Sequence, residues 1–227
     1  QIFEQESSDR AFEEEVMLVG FGQANVKAEG SAIGFDTASE SFTARYTHET
    51  IALAFALTEE AVEDNLYDTL SARYTKALAR SMAYTKQVRG ADVLNTAFAT
   101  TGGDGVTLAN TAHPTALGGT WSNRSATDAD INETSLEQAM IDIAGYIDER
   151  GLKISMQGKK LIIPVNIQFV VDRVLNSTLR VGTADNDINA LKNMGMLAGG
   201  YTVNHYLTDT DAWFIKTDAP NGFKHFT

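Results

Sequence analysis

Four histidines, His48, His113, His205 and His225, are the only imidazoles in this chain, and there is no cysteine. No histidine has a second ligand at metal-binding spacing. Without cysteine there is no disulfide, no thiolate nucleophile and no Cys-type zinc site. Each histidine therefore reads as structural or exposed. His113-Pro114, the most distinctive, reads as a turn in which the proline ring fixes the backbone. Carboxylates are more plentiful. "DADINE" offers Asp128, Asp130 and Asn132 to a cation, yet lacks the central glycine and distal glutamate of an EF-hand loop. "DNDIN" (185–189) and "DTD" (209–211) are shorter, and carboxylates in turns ordinarily accept from backbone amides. In "GFGQANVKAEG", Asn25 stands where a dinucleotide loop needs its third glycine. "TGGDGVT" lacks the Lys-Ser/Thr of a phosphate loop, and no serine sits in a nucleophile elbow. No catalytic residue, metal site or cofactor is expected. A hydrolase built on two distant carboxylates leaves no local signature, so it stays open as a competing reading.

The elements that would position any active group are themselves unusual. A chain of 227 residues suits one large domain or two small ones. With 43% hydrophobic residues, 11 Phe and 7 Tyr, it can build a core. The net charge of -12 argues against gripping nucleic acid through a basic surface, but leaves room for a container that merely encloses DNA. The longest apolar stretches, such as "LIIPV", are far too short to span a bilayer. The sequence starts at Gln1 without Met or a signal pattern, and ends in "GFKHFT", which reads as a strand without its partner. It reads as a piece of a longer protein.

Along the chain, residues 1–15 carry six carboxylates against Arg10 and read as a solvated arm or frayed helix start. Residues 16–50 read as two strands joined near Gly30–Gly34, a hairpin with little core of its own. In "IALAFALT", Ile51, Leu53, Phe55 and Leu57 alternate with small residues, which predicts a strand covered on both sides. Residues 59–89 contain neither glycine nor proline and predict one helix. Its stripe is Val62, Leu66, Leu70, Tyr74, Ala77, Tyr84 and Val88, with acids in the first third and bases beyond. At about 1.5 Å per residue it is roughly 46 Å long. That is about the whole diameter of a globule of this length, so a flat or elongated shape is expected. Residues 99–134 read as a long irregular segment, 135–150 as an amphipathic helix ended by Gly151, and "KKLIIPV" as a buried strand. "NIQFVVDRVLNS" reads as a third helix with Ile167, Val170, Val171, Val174 and Leu175 on one face. "MLAGGYTVNHYL" and "DAWFIKTDAPNGFKHFT" read as strands joined by tight turns at 209–211 and 220–222.

Four of these segments, in this order, resemble the major capsid (head) protein of tailed bacteriophages, with its Hong Kong 97-type fold. "IALAFALTEEAVEDNLYDTLSARYTKALARSMAYTKQVRGADVLN" resembles the strand leading from an extended loop into a spine helix, and "LANTAHP" the turn that follows. "KKLIIPVNIQFVVDRVLNSTLRVGTADNDINALKN" and "YLTDTDAWFIKTDAPNGFKHF" resemble the axial-domain strand-helix unit and the late strands. The resemblance implies an α+β, wedge-shaped subunit with no enzymatic activity. It has an N-terminal arm (1–15), an extended β-hairpin loop (16–50) and a peripheral domain (51–120) with a spine helix at about 59–89. An axial α/β domain (121–217) follows, and 218–227 begins the return to the peripheral domain. Identical copies would form pentamers and hexamers and close into an icosahedral head around double-stranded DNA. Portal, scaffold and cement proteins are the further partners implied, with no membrane. Assembly would take place in the host cytoplasm and the product would be the virion. The candidate inter-subunit contacts are Phe21, Lys27, Phe35, Phe42, Arg45, Tyr46, Glu63, Arg73 and Arg80. Some relatives weld subunits through a Lys–Asn isopeptide bond. Lys27 is the only lysine of the hairpin and no partner motif matches, so welding is not expected. An acidic shell should bind its DNA weakly, with little dependence on salt. The competing readings are an encapsulin-like compartment, a soluble α/β enzyme with carboxylate chemistry, and an adhesive or tail-associated structural protein.

Overall fold

The computed structural model describes residues 2–64, 68–180, 182, 184 and 187–227. Where the charge predicts a solvated arm, Glu4–Glu6 (β1) instead lies parallel to the last strand of the chain, Lys224–Phe226. Opposite charges favour the pairing. The Lys224 Nζ lies 2.6 Å from Glu15 and 3.5 Å from Glu6, and the Lys216 Nζ lies 3.7 Å from Glu4. "GFKHFT" thus finds its strand partner in the acidic start of the same chain.

Phe12–Val19 (β2) and Ser39–Thr47 (β3) form an antiparallel hairpin, with Phe12 opposite Thr47 and Val19 opposite Ser39. This register brings Arg45 within 2.9 Å of Glu14 and lays its guanidinium over the Phe12 ring, 4.4 Å from the centroid. The hairpin therefore begins inside the acidic run. Between its strands, residues 20–38 carry no regular structure beyond a turn at 28–31. There Gly30 takes φ 80°, a conformation open to glycine at little cost.

The expected strand at 51–57 does not form. Those residues run as an exposed strap without secondary structure, Leu53 being 55% exposed. A strand needs a neighbour's backbone groups, and the segment has only a helix beside it, which offers side chains instead. The helical region is Glu59–Glu63 (α1) and Asp68–Asn95 (α2). Residues 65–67, where the expected single helix would be continuous, lie outside the described residues, as do Leu66 and the side chains of Val62, Asp68 and Leu70. At its far end α2 runs beyond residue 89, through Gly90, to Asn95. Ala91, Leu94 and Ala97 are buried there. Their burial outweighs the cost of about 1 kcal/mol for a glycine in a helix. Of the other described residues of the apolar stripe, Tyr74 is 47% and Tyr84 57% exposed, Ala77 is exposed and Val88 is half-buried.

Residues 99–134 are irregular, apart from a small ribbon of His113–Pro114 (β4) and Thr120–Trp121 (β5). Glu133–Ala144 (α3) follows, capped reciprocally by Asn132 and Ser135. It stops at Ala144 rather than at residue 150. The Asp148 carboxylate accepts from the amides of Arg150 (2.9 Å) and Leu152 (2.8 Å), closing a turn that competes with further helix. Gly151, at φ 79°, belongs to that turn.

Gly158–Ile163 (β6) leads through Pro164 and a short 3-10 turn into Gln168–Asn176 (α4). Ala190–Asn193 (α5), Tyr201–Val203 (β7), Phe214–Thr217 (β8) and Lys224–Phe226 (β9) complete the chain. β7 and β8 are not sequential partners. The sheet order is β7-β6-β8, with β6 parallel to β7 and antiparallel to β8, while β9 leaves to join β1. The reason lies in β6: Leu161 and Ile163 are fully buried and Ile162 nearly so, on opposite faces, which makes it the natural central strand. Around it gather Leu136 and Met140 of α3, Val171 and Val174 of α4, and Leu191 and Leu197, with Trp213 and Ile215 packed alongside. Each such buried side chain contributes about 1.5–3 kcal/mol. The end of α2 is rooted in this body. The Asn95 side chain donates to Tyr206 O and accepts from Thr208 N, both at 3.0 Å, and Phe98 stacks on Phe214.

Candidate inter-subunit surfaces

Three features leave the core: the hairpin, the strap and the strut formed by α1 and α2. The hairpin is held along β3 and where its strands open into the loop, and is bare at its tip. A Cβ on Gly103 would lie 3.0 Å from Thr43 O and 3.1 Å from the Ala44 Cβ, so glycine is what lets β3 come this close to the body. Arg150 supplies a second hold. Its Nε donates to Gly20 O at 3.0 Å and its Nη2 to Thr37 O at 2.5 Å, and Asp36 lies 3.7 Å away. The Asp36 carboxylate accepts from the amides of Gly22 and Thr37, each at 2.8 Å. Those bonds, the Gly22 amide first, and then Arg150 hold its pKa below the usual carboxylate value. Beyond this clasp the apolar residues stand in the open: Val26 is 100%, Phe35 98%, Ile33 70% and Phe21 62% exposed. Arg150 was not legible as a clasp, because the sequence places it at the end of a helix.

The strap is drawn along the strut. Glu49 pairs with Arg89 at 3.0 Å, Ile51 to Leu53 border a shallow hollow closed by Ser81, Met82 and Thr85, and Phe55 meets Tyr74 with ring centroids 5.9 Å apart. The chain thus runs antiparallel to α2. Residues 49 to 55 span roughly 20 Å of extended chain, against roughly 22 Å of helix from 89 to 74.

The candidate contact residues fall into three groups. Phe21, Lys27 and Phe35 share the exposed loop of the hairpin. On β3, Phe42 is half-buried, Arg45 is engaged with Glu14 and Phe12, and Tyr46 is 49% exposed. The Tyr46 hydroxyl is pushed up in pKa by burial and then by Glu15, against the opposing effect of Lys224. Glu63, Arg73 and Arg80 are exposed on the strut.

His113 is more deeply placed than a turn residue needs to be. Its Nδ1 lies 2.6 Å from Asp104 Oδ2, and its ring stacks on Trp121 at 4.8 Å. Trp121 in turn meets Tyr146 edge-on. The group ties the 102–106 loop, whose Gly103 supports the hairpin, to the β4–β5 ribbon. Three of the cation candidates are otherwise engaged. Asp128 binds Arg124 through both carboxylate oxygens, Asn132 caps α3, and Asp209 accepts from the Asp211 amide at 3.2 Å. Part of "DNDIN", residues 185 and 186, lies outside the described residues. Among the described residues no group of three His, Asp or Glu is placed to hold a metal ion, and no helix is long and apolar enough to cross a membrane. The geometry presents surfaces that reach outward.

Comparison with known proteins agrees with that description. A family model described as "Phage capsid protein" matches residues 41–227. Among solved structures, the capsid of bacteriophage JBD30 decorated with minor capsid protein trimers is similar at a TM-score of 0.67 and 10% identity, over 92% of this chain and 90% of that one. A second JBD30 capsid structure is similar at a TM-score of 0.65 and 11% identity, over 92% and 88% of the two chains. A search of curated proteins finds no match.

Proposed function

The chain belongs to the phage capsid protein family, and from that premise we propose that it is a major head protein with the Hong Kong 97-type organisation. The first 15 residues act as the arm, 16–50 as the extended loop, 51–120 as the peripheral domain and 121–217 as the axial domain, with the return beginning at 218. Copies gather as pentamers and hexamers and close into an icosahedral head that encloses double-stranded DNA. The subunit works as a structural part and carries out no reaction. Its loop reaches over a neighbour with Phe21, Lys27 and Phe35, and β3 offers Phe42, Arg45 and Tyr46. A decorating protein is a further partner, a reading supported by the similar JBD30 capsid, which is decorated with minor capsid protein trimers. A portal and a scaffold complete the set, and assembly takes place in the host cytoplasm.

One observation carries this reading: among the described residues, the hairpin tip leaves Phe21, Val26, Ile33 and Phe35 exposed, and α2 leaves Tyr74, Met82 and Tyr84 partly exposed. Negative-stain imaging and sedimentation of the purified protein test it. Closed particles tens of nanometres wide are expected. A discrete species below a few hundred kilodaltons, at all concentrations, would refute it. The contents of such particles separate a DNA-filled head from a compartment loaded with protein.

A further inference from the structure

The strut is segregated by charge. Glu59, Glu60 and Glu63 stand exposed on α1, while Arg73, Lys76 and Arg80 stand exposed along one face of α2, at spacings of three and four. Arg89, further along, is paired with Glu49 at 3.0 Å; none of these six has an ion-pair partner among the described residues. A solvated helix normally intermixes its charges and pairs them along its own surface. Here the two signs are set apart on successive stretches, and among the described residues neither has an ion-pair partner.

We propose that the basic face of Arg73, Lys76 and Arg80 docks against the acidic Glu59, Glu60 and Glu63 of the next copy in the ring. The proposal rests on the shell reading above. The charge order favours a second copy over nucleic acid. A polyanion laid along the strut would be attracted by the three cations and then repelled by the three carboxylates of the same chain. A second copy, by contrast, offers the opposite sign to each of the two groups. Such a contact is heterologous: the acidic end of one copy meets the basic face of the next. In a closed ring it leaves no unmatched end. It also accounts for the bare Tyr74, which lies beside Arg73 and is 47% exposed in the single chain. Charge complementarity of this kind fixes register and speeds encounter.

The test is a charge exchange in the full chain, followed by light scattering and electron microscopy, with circular dichroism to check folding. R73E/K76E/R80E should raise the subunit concentration needed for assembly by about tenfold or more, and E59K/E60K/E63K should do the same. The six-fold exchange variant should regain assembly, and a mixture of the two reversed variants should regain even-membered rings, since alternation of the two around a ring of five leaves one like-charged junction. The milder R73Q/K76Q/R80Q variant keeps a reading available if a reversal disturbs the helix, and should weaken assembly in the same direction. Folded reversed variants that assemble like the unaltered chain would overturn the proposal. So would a loss of assembly that the exchange does not repair, or normal shells whose only defect is in DNA retention. Failure of the unaltered chain to form closed particles would instead sink the shell reading itself.

Discussion

Replacing Arg150 with alanine should free the hairpin from the body without melting the body. The side chain is 18% exposed and donates to two carbonyls, Gly20 O at 3.0 Å and Thr37 O at 2.5 Å. Hydrogen bonds to a charged group are worth about 1.5–3 kcal/mol each. Both carbonyls regain water once released, so a combined figure of about 2–3 kcal/mol is the reasonable one. The nearby Asp36 adds little, because it is itself 46% exposed in side chain. At about 1.4 kcal/mol per factor of ten, release of the hairpin from the body should become roughly 30- to 150-fold more frequent. Hydrogen exchange followed by mass spectrometry reads this directly. Peptides covering 12–47 should exchange faster, while peptides covering β6 and α4 should not change. R150K keeps a charge near Asp36 but cannot fork between two carbonyls, and should fall between. Unchanged exchange in 12–47 would refute the clasp. An equal rise in β6 and α4 would show instead that Arg150 supports the whole body.

The remaining expectations concern acid, the core and the surface. Asp36 has a lowered pKa in the folded chain, so its contribution is fully present above the ordinary carboxylate value and is lost as pH falls through the lowered one. Hairpin exchange, corrected for intrinsic rates, should therefore rise only below about pH 4, and D36N should remove that dependence. Asn189 is 1% exposed, donates to Val174 O at 2.6 Å and accepts from Lys192 N at 3.2 Å. N189A should cost about 1–3 kcal/mol in urea unfolding, since it strands a buried carbonyl and uncaps α5. Phe35, 98% exposed, should behave in the opposite way. F35D should leave stability within about 0.5 kcal/mol, yet lower the yield of closed particles seen by electron microscopy.

Short-range chemistry made some elements legible and not others. β6 and α4 could be read because "KKLIIPV" and "NIQFVVDRVLNS" carry their apolar patterns within a few residues. The start of α3 was less exact, because its true cap, Asn132, lies three residues before the expected start. Its end was missed because the Asp148 side chain outcompetes the helix, a choice that periodicity does not register. The alternation at 51–57 looks like a strand, but alternation says nothing about whether a second strand is present. The order β7-β6-β8 depends on pairings between distant segments, and so does the union of β1 with β9. Among the surface residues, the sparse core of 16–50 has its counterpart in the exposed side chains of Phe21 and Phe35. Arg150 and Gly103 were invisible, since their partners lie some 60 to 130 residues earlier in the chain.

The strap has a mechanical meaning. Its backbone amides at 49–57 make no hydrogen bond among the described residues, and its attachment is one ion pair at the end and one pair of rings. A segment locked in a sheet can shift only by breaking its rungs. This one behaves as rope lying along a mast. Since extended chain advances about 3.3 Å per residue and a helix about 1.5 Å, paying out a single residue carries the rope past two positions on the mast. Slack in the strap therefore breaks no sheet rung, and the hairpin's hold on the body lies with contacts such as the Arg150 clasp.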